Sequence, residues 1–182
     1  VTVEGLRGSS RAFFLSKLIK IAKRPVVIFT ADQNRGEVLL DDLLYFFRHE
    51  KIKHKPCFFP AWELLPYEQL SPLNEISGER LDILNRLRSG DPLILIIPLE
   101  AGLQKVMPRS VLEKLIFPIK RKMNLEREFL EACLTENGFA RSPLVENKGD
   151  FSVRGDIVDV YPPTLMNPVR VEFFDNTIES IR

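Results

Sequence analysis

The segment Gly5–Ala12, which reads GLRGSSRA, has the spacing of a phosphate-binding loop. In such a loop, G-x-x-x-x-G-K-[ST], the last glycine lets backbone N–H groups close around phosphates, the lysine contacts them and the hydroxyl holds Mg²⁺. The residues at these three positions are Ser10, Arg11 and Ala12. Because all three functions are altered together, the sequence predicts a degenerate loop that does not bind nucleotide.

The same segment also has a purely structural interpretation. Gly5 and Gly8 favour a tight turn between a strand and a helix, since glycine tolerates backbone angles that other residues avoid. Ser9 or Ser10 is then expected to cap the helix with its hydroxyl. An anion bound at the start of this helix remains an alternative, because the first N–H groups of a helix attract negative charge.

A second group of residues follows the two-residue period of a strand. Alternation along residues 169–174 (VRVEFF) directs the two valines and Phe173 to one side, and Arg170, Glu172 and Phe174 to the other. The first side is typical of a core. The second is either an ordinary solvated strand face or a protein-binding face, because arginine and aromatic residues are enriched in interfaces.

No other residues have the spacing of a catalytic or metal site. The chain has two histidines and two cysteines, Cys57 and Cys133, which lie far apart in apolar segments. Zinc ligands usually come in closely spaced pairs, which the sequence lacks, and neither histidine has a nucleophile partner that the sequence can specify. We therefore expect no catalytic residues, no metal, and two buried, reduced thiols.

Composition and charge narrow the remaining possibilities. The formal net charge of +1 gives no overall field that would attract nucleic acid or a membrane, and 45% hydrophobic residues suffice for a buried core. The apolar run at 92–103 is too short to span a bilayer, and lysines interrupt the first apolar residues where a secretory signal would need them uninterrupted. We expect a cytoplasmic protein with no membrane partner.

Helical and extended patterns alternate through the first part of the chain. Short apolar runs at 26–29, 55–60 and 92–98 are typical of strands buried on both faces of a parallel sheet, and amphipathic helical patterns separate them. This alternation predicts an α/β domain over residues 1–115.

The pattern changes near residue 116. A helix is expected at 124–138, with Asn124 as its N-cap and Gly138 as its end. Its predicted buried face consists of Leu125, Phe129 and Cys133. Only strands are expected after it, including a hairpin that turns at Asp175–Asn176. Residues 116–182 are therefore predicted to form a smaller α+β domain with antiparallel strands.

The loop at 60–77 contains Trp62 and Tyr67. Aromatic side chains in such a loop can insert into DNA, but the charged residues of this loop are Glu63, Glu68 and Glu75 rather than lysines or arginines, and glutamates repel phosphates. Packing of the loop over the sheet is the favoured interpretation.

Three segments together resemble the N-terminal region of the bacterial transcription-repair coupling factors and, less closely, the excision-repair protein UvrB. They are PAWELLPYEQLSPLNEISGERLDIL, GFARSPLVENKGDFSVRGDIVDVYPP and VRVEFFDNTIESIR. The resemblance covers nearly the whole chain in order. It implies a helicase-like α/β sheet domain with a degenerate phosphate loop, into which a second, α+β domain is inserted.

The resemblance also implies a partner and the residues that contact it. In both families the second domain docks UvrA, and the positions that match the contacting residues are Arg141, Arg154, Arg170, Glu172 and Phe174. One neighbouring basic position of UvrB corresponds to Ser152 here, so the two interfaces are not expected to be identical.

The degenerate loop and the single tyrosine of the 60–77 loop separate the coupling factors from UvrB, which has an intact loop and a tyrosine-rich hairpin. The resemblance implies a fragment that is not an enzyme and needs no cofactor. In the full-length family, ATP and Mg²⁺ serve a DNA translocase motor, and RNA polymerase and double-stranded DNA are further partners. Two alternatives remain: a fragment of a UvrB-type ATP- and DNA-binding damage-verification protein, and a purely structural α/β domain.

Overall fold

Two compact units make up the chain. A computed structural model describes residues 2–22, 24–52, 56–64, 67 and 73–182. The first unit contains Val1–Pro72 and Glu79–Val106, and the second contains Leu73–Gly78 and Met107–Arg182. The predicted boundary at residue 116 stays a prediction. The predicted α/β class is confirmed, since one sheet is parallel and the other has mainly antiparallel strands.

The first unit alternates helices and strands, as the apolar runs predict. Its elements are α1 (Ser10–Ile21), β1 (Val26–Thr30), α2 (Gln33–Glu50), β2 (Pro56–Phe58), α3 (Asn74–Arg88), β3 (Ile94–Pro98) and α4 (Leu99–Leu103). The short helix α4 was not expected, and the first residues of α3 belong to the second unit.

The sheet of the first unit is parallel, with strand order β1-β3-β2. The central strand β3 is buried along most of its length. Strand β1 differs from its prediction as a strand buried on both faces, because Val27 and Phe29 are 50% and 63% exposed. An apolar run alone does not distinguish a central strand from an edge strand, and β1 lies at the edge.

Helices α1 and α2 pack against this sheet. Leu43 and Phe47 of α2 join Ala12 and Ile19 of α1 in one buried cluster. The start of α2 is capped by Asp32, whose carboxylate accepts a hydrogen bond of 2.8 Å from the N–H of the third residue of the helix.

Arg80 of α3 is a buried cation, 2% exposed. Its guanidinium lies 4.2 Å from the ring centre of Phe59 and 4.4 Å from that of Trp62, and it donates to the carbonyl of Pro60. The tryptophan therefore packs within the first unit, in agreement with the packing interpretation of its loop. Tyr67 does not share that role, since it is 96% exposed. Residues 65–66 and 68–72 of the loop lie outside the described residues.

The second unit contains two helices and a sheet. Its elements are α5 (Arg109–Leu115), α6 (Arg127–Glu136), β4 (Ala140–Arg141), β5 (Asp150–Arg154), β6 (Ile157–Val160), β7 (Val169–Phe174) and β8 (Thr177–Ile181). The strands follow sequence order across the sheet. The hairpin turns at Asp175–Asn176 as predicted, and a β-bulge between Glu172 and Phe173 shifts its register. Strand β4, which pairs parallel to β5, was not expected.

The prediction for the helix at 124–138 is partly wrong. Asn124 is not its N-cap, because it forms a β-bridge with Thr177, and the N–H of Leu125 bonds to the carbonyl of Asn176. The chain thus runs along the hairpin before α6 begins. The face assignment holds only for Leu125, which is 7% exposed but precedes the helix. Phe129 is 49% exposed, and Leu130 is the buried residue of α6.

The core of the second unit lies between α6 and one face of the sheet. Its buried members are Leu125, Leu130, Val158, Val171, Phe173 and Ile178. Gly138 has a left-handed backbone, with φ of 82°, and follows the end of α6 as expected.

Candidate functional site

The outer face of the second sheet carries the residues that the sequence marks as a possible docking surface. In β7, Val171 and Phe173 are 0% and 6% exposed, whereas Phe174 is 71% exposed. The predicted alternation is therefore confirmed. An exposed phenylalanine next to charged side chains is the most apolar feature of this outer face.

Arg170 is held by a carboxylate on the neighbouring strand. It lies opposite Asp159 of β6 and donates from Nε and Nη2 to the two carboxylate oxygens, at 2.7 and 2.8 Å. The hydrogen bonds from Arg170 keep the pKa of the Asp159 carboxyl below its usual value. A guanidinium fixed in this way presents its remaining N–H groups in a defined direction.

Glu172 is held in a similar way from β8. Ser180 lies opposite it and donates its hydroxyl to Oε2 at 2.6 Å, while Arg182 donates from Nη2 to Oε1. The hydrogen bond from Ser180 is the first cause of a lowered pKa of Glu172, and the charge of Arg182 acts in the same direction. Glu172 therefore stays ionised, and each of its two carboxylate oxygens accepts a hydrogen bond, one from Ser180 and one from Arg182.

Arg154 ends β5 on the same outer face. Strand pairing places it opposite Ile157, which in turn lies opposite Glu172. Its Nη2 donates to the carbonyl of Pro143. Gly155, with φ of 58°, makes the tight turn that follows it.

Arg141 lies on β4, beside the strand that carries Arg154. Its Nη1 is 3.4 Å from Oε2 of Glu131. Both arginines line a depression of about 490 Å³. It is lined by Arg141, Ser142, Pro143, Ser152, Val153 and Arg154. Ser152 is only 4% exposed, so it offers little to a partner.

The five predicted docking residues thus belong to one sheet. Strand pairing sets Arg154, Arg170, Glu172 and Phe174 on its outer face. Arg141 instead lies opposite Phe151, a residue of the buried face, and lines the same depression as Arg154. Sequence reasoning did not find the partners Asp159, Ser180 and Arg182. These partners can be identified only from the register of the strands, because the residues that lie opposite each other depend on the position of the turn and of the bulge.

The degenerate loop makes its contacts within the first unit. Gly5 and Gly8 have φ of 81° and 51°, as a tight turn requires. Residues 2–7 form no strand, so the predicted strand-to-helix turn lacks its strand in the described residues. Ser9 takes the N-cap position without a capping hydrogen bond, which corrects the expected role of the serines.

Two polar side chains of this loop form hydrogen bonds to backbone carbonyls of the loop itself. The Ser10 hydroxyl donates to the carbonyl of Arg7 at 2.6 Å, and Arg11 Nε donates to the carbonyl of Leu6 at 3.3 Å. Ala12, at the position of the Mg²⁺-binding hydroxyl, is 0% exposed in the core. A depression of about 380 Å³ beside the loop has largely apolar walls, formed by residues such as Phe14, Ile28 and Phe29.

Other kinds of site find little support in the described part of the chain. No group of three histidine, cysteine, aspartate or glutamate side chains there is arranged to hold a metal ion. Cys57 and Cys133 form no disulfide, and both are half-buried rather than buried as predicted. Among the described helices, none combines the length and apolarity needed to cross a bilayer.

Comparison with known proteins finds relatives of one kind along nearly the whole chain. The chain is similar to the transcription-repair-coupling factors of Myxococcus xanthus (36% identity, covering 100% of this chain), Bacillus subtilis strain 168 (33%, covering 98%) and Escherichia coli strain K12 (28%, covering 97%). It spans about 15% of the length of these relatives. Residues 117–182 match the family model of the UvrB interaction domain. The resemblance inferred from the sequence is confirmed.

Proposed function

We propose, starting from its similarity to the transcription-repair-coupling factors, that this chain is a non-catalytic docking module that recruits UvrA through the outer face of its second sheet. The contact residues are Arg154, Arg170, Glu172 and Phe174, with Arg141 at the margin. The name of the matched domain, UvrB interaction domain, supports a partner from the same repair system.

The observation that carries this proposal is the exposed ring of Phe174 on the same sheet face as two arginines that are already oriented. Interface hot spots are enriched in arginine and aromatic residues that lose little freedom on binding. Arg170 is fixed by two hydrogen bonds to Asp159, and Arg154 by one to the carbonyl of Pro143. Binding therefore costs less side-chain entropy here than on a mobile surface.

The wider role follows from the relatives and belongs to the same proposal. A coupling factor links transcription to repair, so RNA polymerase and double-stranded DNA are the expected partners of the whole protein, which we infer to be a cytoplasmic ATP-driven translocase. This chain contributes recruitment to that activity. Its degenerate phosphate loop, whose polar groups bind Arg7 and Leu6, supports a structural role without nucleotide.

Titration calorimetry of purified UvrA with the 182-residue chain and with Arg170→Ala tests the proposal. Removing a docking arginine is expected to weaken binding by at least about 1–2 kcal/mol, or roughly five- to thirtyfold. Arg109→Ala is the matched control, because Arg109 also forms an exposed ion pair, 2.9 Å from Glu113, but on a helix of the same unit.

Circular dichroism must show that both variants stay folded. Equal affinity of Arg170→Ala and the unmodified chain would refute the assignment of the face. Absence of any heat of binding with the unmodified chain would refute UvrA recruitment itself and favour a purely structural domain.

A further inference from the structure

Arg127, in the first turn of α6, is not among the proposed docking residues. It contacts two other parts of the second unit. Its Nη1 donates to the carbonyl oxygen of Gly155 at 2.5 Å. Its Nε lies 3.2 Å from Oε1 of Glu131, one helical turn further along. The side chain is only 29% exposed, so most of it is covered by the protein itself.

The bond to Gly155 acts on the turn between β5 and β6. Gly155 directly follows Arg154 and has a left-handed backbone. A donor on the carbonyl of this residue restrains the peptide that closes the turn, and therefore the direction in which Arg154 leaves the sheet. Arg154 has a second anchor, the carbonyl of Pro143.

Glu131 extends the connection to the other arginine. One of its carboxylate oxygens faces Arg127, and the other faces Nη1 of Arg141 at 3.4 Å. The Glu131 side chain is 19% exposed, so its charge is less screened by water than that of a surface pair. Arg127 and Glu131 thus link α6 to the turn that follows Arg154 and to Arg141.

We propose that Arg127 and Glu131 are positioning residues: Arg127 restrains the turn that follows Arg154, and Glu131 holds the side chain of Arg141, so that a docked partner meets both arginines in fixed positions. The inference rests on the proposed function. It adds that docking depends on two side chains of α6 that do not contact the partner themselves and act by positioning the two arginines.

A thermodynamic cycle separates positioning from direct contact. Affinity for purified UvrA is measured for the 182-residue chain, for Arg127→Ala, for the pair Arg141→Ala/Arg154→Ala, and for the triple variant. Arg127→Ala is expected to weaken binding about three- to tenfold in the unmodified chain, and less than about twofold when the two arginines are absent.

Two further variants keep the test valid if Arg127→Ala folds poorly. Arg127→Lys retains the charge but not the planar fork, and Glu131→Gln retains the shape but not the charge; each is expected to lose part of the affinity. Arg121→Ala is the matched control, since Arg121 Nε also donates to a backbone carbonyl of this sheet, that of Glu179, at 2.8 Å. It is expected to bind normally.

The outcomes distinguish this inference from the proposed function. If the unmodified chain does not bind UvrA, the proposed function fails. If the Arg141→Ala/Arg154→Ala pair binds UvrA as the unmodified chain does, the positioning role fails and UvrA recruitment stands. If that pair binds weakly but Arg127→Ala and Glu131→Gln bind normally, only the positioning role fails. An equal loss for Arg127→Ala in both backgrounds also overturns it, because the residue would then act independently of the two arginines.

Discussion

Replacement of Phe174 by alanine is the sharpest test of the docking face, because its effect can be estimated from the structure. A phenylalanine has about 200 Å² of accessible surface, and 71% of this side chain is exposed, which leaves about 140 Å² for a partner to cover. At about 25 cal/mol per Å² this gives an upper limit of about 3.5 kcal/mol.

The measured loss is expected to be smaller than this limit. Alanine keeps the Cβ, and a partner rarely covers an exposed ring completely. We therefore expect Phe174→Ala to weaken UvrA binding by about 1.5–2 kcal/mol, or roughly ten- to thirtyfold. Because the ring contributes little to the core, the free energy of unfolding should change by less than about 0.5 kcal/mol.

Calorimetric titration with UvrA and urea denaturation of each variant provide the two measurements. Phe129→Ala is the matched control, since Phe129 is 49% exposed in the same unit but lies on α6. An affinity of Phe174→Ala within twofold of the unmodified chain would refute the reasoning. So would a large loss of stability, because the ring would then act through the fold.

The remaining predictions concern stability, pH and nucleotide. Ile178→Ala, at a site that is 0% exposed, should lower the free energy of unfolding by about 2–5 kcal/mol in urea, and Ile181→Ala, at 37% exposure, by much less. Hydrogen bonds from Lys17 and then Lys20 lower the pKa of Glu50 from 4.5 to about 2, so its stabilising effect is complete above pH 4.5 and is lost toward pH 2. The melting temperature of Glu50→Gln should therefore lie below that of the unmodified chain at pH 7, and the difference should shrink over that range; a constant difference would contradict this. A fluorescent ATP analogue with Mg²⁺ should show no saturable binding up to about 1 mM, and micromolar binding would revive a UvrB-type nucleotide site.

Local patterns predicted most of the fold correctly. The apolar runs located β1, β2 and β3, because a parallel sheet buries such segments. The two-residue alternation of β7 and the turn at Asp175–Asn176 located the hairpin and the outer face, since both depend on residues adjacent in sequence.

Three features that the sequence did not predict share one physical cause, which is pairing between segments that are separated along the chain. Asn124 was assigned to a helix cap on its residue type, but its bridge to Thr177 keeps it extended. Strand β4 has only two residues and exists because it pairs with β5. Likewise, Asp159 was not linked to Arg170 until the strand register was known.

The bulge in the β7–β8 hairpin has a consequence for the charges on the outer face. Counting back from the turn, Phe173 pairs with Ile178, so an uninterrupted ladder would set Glu172 opposite Glu179, two like charges in direct contact. The bulge makes Glu179 the extra residue and brings Ser180 to Glu172 instead. Loss of the bulge at unchanged sequence would therefore exchange a hydrogen bond for a repulsion. Deletion of Glu179 would instead restore a regular ladder and keep Ser180 opposite Glu172, so the bulge is what makes this glutamate tolerable in the hairpin.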